Sequence, residues 1–287
     1  MEINFNEMLK RSNIMDITEY SCARVLEDTR INQNDYLEQL SRDINIEKST
    51  LIAYSTWFNI DGKYYYFKDN CCFRELLMGE IYRNQGINNV HHQIAKFNGN
   101  YGIISENFRK PNNEYIRFDN FIRGYNALTD ILEVENEIKS KLTRREYGDY
   151  KKEKAKIMAL DILFGQHDRH EQNVYFEVSE NSTRLAPIFD NGLCLFTGDN
   201  YILYDSCFDS LFFDATAPDK YTLKALKKYK ELLTSLDKSM SINLPIYYEM
   251  VEDKHEILIP DTLKQDIINL YDRHRKIIEK TLTLTLK

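Results

Sequence analysis

Several things are scarce in this 287-residue sequence. No apolar run approaches the roughly 20 residues that a membrane-spanning helix needs. The amino terminus carries Glu2, Glu7 and Asp16 among its apolar residues, not the basic-then-apolar order of a secretory signal. Both absences favour a cytoplasmic protein with no membrane partner. Only 10 glycines and 5 prolines exclude a collagen-like or linker-like chain. The five cysteines, Cys22, Cys71, Cys72, Cys194 and Cys207, are odd in number and lack a C-x-x-C pair. Reduced thiols are therefore a simpler reading than a disulfide framework or a structural zinc site. Basic residues are outnumbered, 38 against 45 acidic, and the net charge of -7 repels phosphate backbones, so nucleic acid is not the default partner.

Hydrophobic residues are plentiful at 43%, with 20 Tyr and 15 Phe, which places the chain among globular proteins. Its length suits one bilobed unit or two modest domains. Over residues 1–48 the apolar positions, such as Met8, Leu9 and Ile14, then Cys22, Val25 and Leu26, recur at helix-like intervals and predict short helices. The pattern changes after Glu47. Ser55–Ile60 and Lys63–Lys68 are aromatic and β-branched runs around Asp61-Gly62, a two-residue hairpin signal because both central positions need positive φ. Pairing about that turn sets Lys68 opposite Ser55. Residues 71–83 predict a helix with an apolar stripe of Phe73, Leu76, Leu77 and Ile81, stopped by Gly86. A second hairpin, Ile94–Phe97 and Tyr101–Ser105, turns through Asn98-Gly99-Asn100. Beyond Pro111 the chain reads as mainly helical, including Ala127–Leu142, Lys151–Phe164 and a lysine-rich tail.

The informative segment runs from Ile157 to Cys194. Ile157, Met158, Leu160, Ile162, Leu163 and Phe164 surround a helix on nearly all sides, which predicts burial, and Gly165 ends it. An unbroken polar run from Gln166 to Asn173 follows, which is costly beside a buried helix unless it lines a cleft or binds charge. Val174–Val178 and Arg184–Phe189 predict a hairpin turning at Ser179–Ser182, and pairing about Asn181 and Ser182 brings Asn173 beside Asp190. A base candidate, Asp168, thus lies five residues before an amide oxygen, and a second carboxylate returns to that amide. Hard oxygen donors from Asn and Asp suit Mg²⁺, and the Asp-to-Asn step has the spacing of the protein-kinase catalytic loop. Asp161, deep in the apolar helix, is expected to bond the backbone of this loop.

Gly165-Gln-His-Asp-Arg-His-Glu-Gln-Asn-Val174 resembles the G-x-x-D-R-H-x-x-N segment shared by phosphoinositide lipid kinases and bacterial HipA-like kinases. Ala186-Pro-Ile-Phe-Asp-Asn-Gly192 is similar to the ending found in HipA-like serine/threonine kinases, especially small CtkA-like members. The resemblance is specific over about Asp161 to Cys194 and weaker over residues 55–108. It implies an α+β, bilobed, protein-kinase-like fold: a small antiparallel-sheet N-lobe over 49–110, a larger, mainly helical C-lobe over 111–287, and a helical extension over 1–48. The implied cofactors are ATP and Mg²⁺, and the implied reaction is transfer to a protein Ser or Thr.

By the same resemblance Asp168 is the catalytic base, and Asn173 and Asp190 are the metal ligands. Lys68 contacts the phosphates, Glu75 is its ion-pair partner with Glu80 as rival, and His170 contacts the γ-phosphate. The backbone from Glu106 to Phe108 is the adenine hinge. The implied partners are a protein acceptor and an antitoxin-like regulator. One feature departs from the kinase pattern: Glu47–Tyr54 contains no glycine where a phosphate-covering loop usually needs it. That keeps open a nucleotide-binding pseudokinase acting through a partner, beside a lipid or small-molecule kinase and a phosphoesterase using His167 and His170. The basic stretch from Lys139 to Lys156 reads as a solvated face.

Overall fold

The computed structural model describes residues 5–9, 14–18, 21–23, 30–32, 55–69, 72–122, 131–166, 169, 171–192, 194–195 and 242–283. In chain order its elements are α1 (Phe5–Met8), β1 (Met15–Asp16), β2 (Ser21–Ala23), β3 (Arg30–Asn32), β4 (Ser55–Ile60), β5 (Lys63–Lys68), α2 (Cys72–Asn84), β6 (His92–Phe97), β7 (Asn100–Glu106) and β8 (Glu114–Arg117). They continue with α3 (Phe118–Phe121), α4 (Ile131–Lys141), α5 (Arg144–Phe164), a 3-10 turn (Glu171–Asn173), β9 (Tyr175–Val178), β10 (Thr183–Leu185), α6 (Leu244–His255) and α7 (Asp261–Thr283). Among the described residues no helix is long and apolar enough to cross a membrane.

The first sheet has the order β1-β6-β7-β5-β4-β2. Its β4–β5 hairpin turns through Asp61 at φ 51° and Gly62 at φ 81°, the left-handed pair that a two-residue turn demands. Asn59 Oδ1 steadies the turn by accepting from the Gly62 amide at 3.0 Å. The resulting register places Ser55 opposite Lys68. The β6–β7 turn is tighter than the spacing predicts, because Asn100 already pairs with Phe97 and only Asn98 and Gly99 lie between the strands. One face of the sheet buries Ile17, Phe58, Ile60, Phe67, Ala95, Phe97 and Ile104, with the Phe58 and Phe97 rings 4.9 Å apart, edge to face. Gly102 in β7 is needed for close approach: a Cβ there would meet the Lys68 carbonyl oxygen at 2.5 Å and the Phe67 ring at 2.5 Å. Gly102→Ala should therefore push β5 away and cost about 1–3 kcal/mol, the size of an overpacking defect, measured by urea unfolding. Unchanged stability would mean that the strands have slack at this point.

In the described part of residues 1–48 the helical expectation gives way to strands. Their described part holds one helical turn, α1, and three short strands. β1 pairs in parallel with β6 at one edge of the first sheet, and β2 pairs antiparallel with β4 at the other. β3 pairs with β8 in a second, four-stranded sheet of order β10-β9-β8-β3. Sheet edges present rows of unpaired backbone groups, and satisfying them outweighs a weak local helix preference. Upstream, Leu9 forms a bridge to Ile257, and Met8, buried in the main core, accepts from the Leu258 amide at 2.7 Å.

The C-terminal part is helical around that second sheet, so the mainly helical reading beyond Pro111 misses β8. Thr143 and Glu146 start α5 with a reciprocal cap, each side chain accepting from the other's backbone amide. The last turns of α5 bury Ile157, Met158, Leu160, Leu163 and Phe164, as their all-round apolar pattern requires, and Gly165 follows at φ 62°. Phe164 stacks on Tyr271 of α7 at 5.5 Å. Helix α2 is buried on every side, including Glu75 and Glu80, and is not a one-sided stripe. The basic stretch is not wholly a solvated face either: Lys154 is buried and pairs with Glu135 at 2.5 Å, and Lys156 donates to the Gln85 carbonyl.

Candidate active site

Strand β5 ends at Lys68, and the seven-residue step to Glu75 in the first turn of α2 brings the two side chains together, with Nζ 3.0 Å from Glu75 Oε1. Lys68 also reaches Asp190 Oδ1 at 2.5 Å, across 122 positions of sequence. Burial works to lower the Lys68 ammonium, but Glu75 and Asp190 overcome it and hold the group well above the ordinary lysine range. Burial raises the Glu75 carboxyl, and Lys68 opposes that rise. Glu80, the rival partner, serves elsewhere: it binds Arg83 at 2.7 Å and Lys254 at 2.5 Å, linking α2 to α6.

Asp190 sits at φ 57° after the β9–β10 hairpin. That hairpin corrects the expected register. Val178 pairs with Thr183 and Phe176 with Leu185, so continued pairing would set Asn173 opposite Ile188, not Asp190. The cause is the turn: Ser179 donates its amide to Ser182 O at 2.8 Å and accepts the Ser182 amide on Oγ, centring the turn one residue early. Beyond Leu185 the chain leaves the sheet, and Ile188 bridges to Asn89. Asn173 is buried on the 3-10 turn that leads into β9, so it and Asp190 leave the same open end of the hairpin.

The residue that sequence reasoning left without a role is Arg169. Its guanidinium is fully buried at 0% exposure and donates to Asp161 Oδ1 and Oδ2 at 3.2 Å, to the Phe189 carbonyl at 2.9 Å and to Asn191 Oδ1 at 2.7 Å. Tyr82 of α2 donates to the same Asp161 carboxylate. Asp161 thus bonds the Arg169 side chain; the expected bond to the loop backbone falls largely on residues 167, 168 and 170, outside the described residues. The clue was available: a carboxylate inside an apolar helix demands a buried counter-charge, and Arg169 is the cation that follows on the chain. Asn191 extends the network, donating its amide to Glu75 Oε2 at 2.8 Å and its side chain to Asn89 Oδ1 at 3.0 Å.

At the hinge position, the Asn107 amide is taken by Tyr64 O, and the Glu106 side chain turns toward Lys63 and Tyr65 on an exposed face. Phe108 stacks on Phe189 at 5.7 Å, and Tyr175 lies 5.8 Å from Phe189. Glu177 anchors the following segment by accepting from Asn113 at 2.6 Å and from Arg184 at 2.9 Å. Asp168, His167, His170 and the glycine-free segment Ser49–Tyr54 lie outside the described residues. For a metal and nucleotide, the donor chemistry fits. Asp190 offers a carboxylate whose side chain is 35% exposed, Asn173 is a buried amide at the same open end of the hairpin, and Lys68 supplies a fixed cation for phosphate.

Behind Lys68, His92 is buried and its Nδ1 has no hydrogen-bond partner among the described residues. Burial, reinforced by Arg83 and Lys68, drives its imidazole down to about 3. The unfolded chain binds this proton near pH 6.5 and the native state does not. Stability present above 6.5 should therefore fall as pH drops toward 3, by up to about 1.4 kcal/mol per pH unit. In urea melts between pH 4 and 7, His92→Gln should flatten that slope; a slope equal to wild type would assign it to other groups.

No family profile matches the chain, and no curated protein matches it in sequence. Solved structures do. The Helicobacter pylori proinflammatory kinase CtkA superposes with a TM-score of 0.54 at 16% identity, over 95% of this chain and 98% of CtkA. HipA of Shewanella oneidensis, solved with HipB and operator DNA, superposes with a TM-score of 0.56 at 12% identity, over 91% of this chain and 75% of HipA. The sheet-rich first part, the helical second part and these two likenesses together show that the chain has a bilobed, α+β, protein-kinase-like fold, similar to the folds of CtkA and HipA.

Proposed function

We propose that this protein transfers the γ-phosphoryl group of ATP, with Mg²⁺, to a hydroxyl, with protein Ser or Thr the leading acceptor. The observation that carries the reading is the meeting of Lys68, Glu75 and Asp190: a strand lysine braced by a helix carboxylate and touching a carboxylate held in a left-handed turn. We take residues 49–110 as the N-lobe and 111–287 as the C-lobe, with the cleft between them. When bound, Mg²⁺ and ATP supply the transferable group and the neutralisation of phosphate charge. Lys68 would bind phosphate oxygens, kept cationic by its two carboxylates. Asp190 and Asn173 would hold the metal. The aromatic wall of Phe108, Phe189 and Tyr175 suits a planar base beside the Glu106–Phe108 backbone. Asp168 would accept the acceptor's proton, and His170 would contact the γ-phosphate.

Labelled ATP and Mg²⁺, scored for transfer to protein, lipid or water, tests the reading and its acceptor class. Asp190→Ala should abolish the Mg²⁺-dependent part of the ATP-induced thermal shift, because it removes the exposed carboxylate ligand. A shift that needs no Mg²⁺ and survives the substitution would overturn the metal site. The second reading is a nucleotide-binding pseudokinase, favoured by the absence of glycine from Glu47–Tyr54; it requires ATP binding with no transfer to any acceptor. HipA was solved in a complex with HipB, and we extend that to an antitoxin-like regulator for this chain, testable by co-purification.

A further inference from the structure

We propose that Asn191 is a positioning residue that locks Asp190 in its left-handed conformation and ties it to the same carboxylate that braces Lys68. This rests on the reading of Asp190 as a metal ligand. A non-glycine residue at positive φ persists only where its surroundings hold it. Four buried groups hold Asp190. Arg169 takes the carbonyl before it, and Gln166 Nε2 donates to its own carbonyl at 3.1 Å. Glu75 Oε2 accepts the amide after it at 2.8 Å. The Asn191 side chain is pinned at both ends, accepting from Arg169 at 2.7 Å and donating to Asn89 at 3.0 Å.

Asn191 is fully buried, so it acts through Asp190 and not on a ligand. Glu75 divides its two oxygens, Oε1 to Lys68 and Oε2 to the Asn191 amide. One carboxylate therefore sets the spacing between the phosphate-binding lysine and the peptide that carries Asp190. An aliphatic side chain at 191 would leave the Asn89 carbonyl oxygen and one guanidinium N–H of Arg169 without this partner. The peptide between 190 and 191 would then be held by Gln166 and Glu75 alone, without the side-chain anchor beside it, and would open more often and displace the carboxylate. Lys68 would lose its contact with Asp190 but keep Glu75, which sustains its charge, and the hinge would be untouched, so the defect should fall on the metal and not on the nucleotide.

The experiment compares full-length wild type, Asn191→Ala, Asn89→Ala and a core control, Ile138→Ala. The first readout is amide hydrogen exchange at residues 189–191 without nucleotide. The second is the Mg²⁺ concentration that gives half the ATP-induced thermal shift. Asn191→Ala should speed exchange at the 191 amide and raise the Mg²⁺ midpoint by about tenfold each, equivalent to one lost hydrogen bond of about 1.4 kcal/mol. ATP binding without Mg²⁺ should stay as in wild type. Asn89→Ala should do the same to a smaller degree, and it carries the test if Asn191→Ala does not fold. Wild-type exchange and midpoint in both variants, or equal changes in Ile138→Ala, would overturn the proposal. A wild type without any Mg²⁺-dependent shift would instead defeat the kinase reading, and hydrogen exchange would still decide the role of Asn191.

Discussion

Asp168→Asn should lower phosphoryl transfer by about 10²-fold or more, the size of a general-base contribution, while leaving thermal unfolding unchanged. Asparagine keeps the shape of the side chain but cannot accept the proton of an attacking hydroxyl. The fold should tolerate the change because the neighbouring position carries the structural load: Arg169 is the fully buried member of the network, bonded to Asp161, Phe189 and Asn191. Steady-state transfer and a melting curve on the same preparation separate the outcomes. Wild-type turnover would remove Asp168 from the chemistry. A large loss of stability would make it a structural residue.

The second large effect concerns Asp161. Asp161→Leu strands the Arg169 guanidinium in the interior, where burial opposes its charge and Asp161 is the first of the groups that sustain it. Removing one partner of a buried pair costs about 3–5 kcal/mol, whereas replacing both with apolar side chains of similar volume is often neutral. Asp161→Leu should therefore lose stability in urea unfolding, and the double variant Asp161→Leu/Arg169→Met should regain much of it. Activity should not return with stability, because Arg169 also holds the Phe189 carbonyl and Asn191 Oδ1 around Asp190. Additive losses in the double variant would show that the two side chains do not act as a pair.

The sequence by itself determined what a few neighbouring residues can settle. Asp61-Gly62 fixed the hairpin and, through it, the register of Lys68 opposite Ser55, because the turn admits only left-handed central residues. The all-round apolar pattern of Ile157–Phe164 decided burial, whereas the choice of Glu75 over Glu80 as the partner of Lys68 rested on the kinase resemblance and was made by the structure. The tertiary structure decided the rest. β1, β2 and β3 form only because distant sheet edges offer them backbone partners, so their own periodicity misleads. The β9–β10 turn shifted by one residue because Ser179 and Ser182 bond each other, which broke the expected pairing of Asn173 with Asp190. The partner of a buried charge is likewise chosen across space. Lys68 meets Asp190 and Arg169 meets Asn191 because the hairpin's exit packs against α2, and charge–charge energy depends on that distance and on burial, neither of which residue spacing encodes.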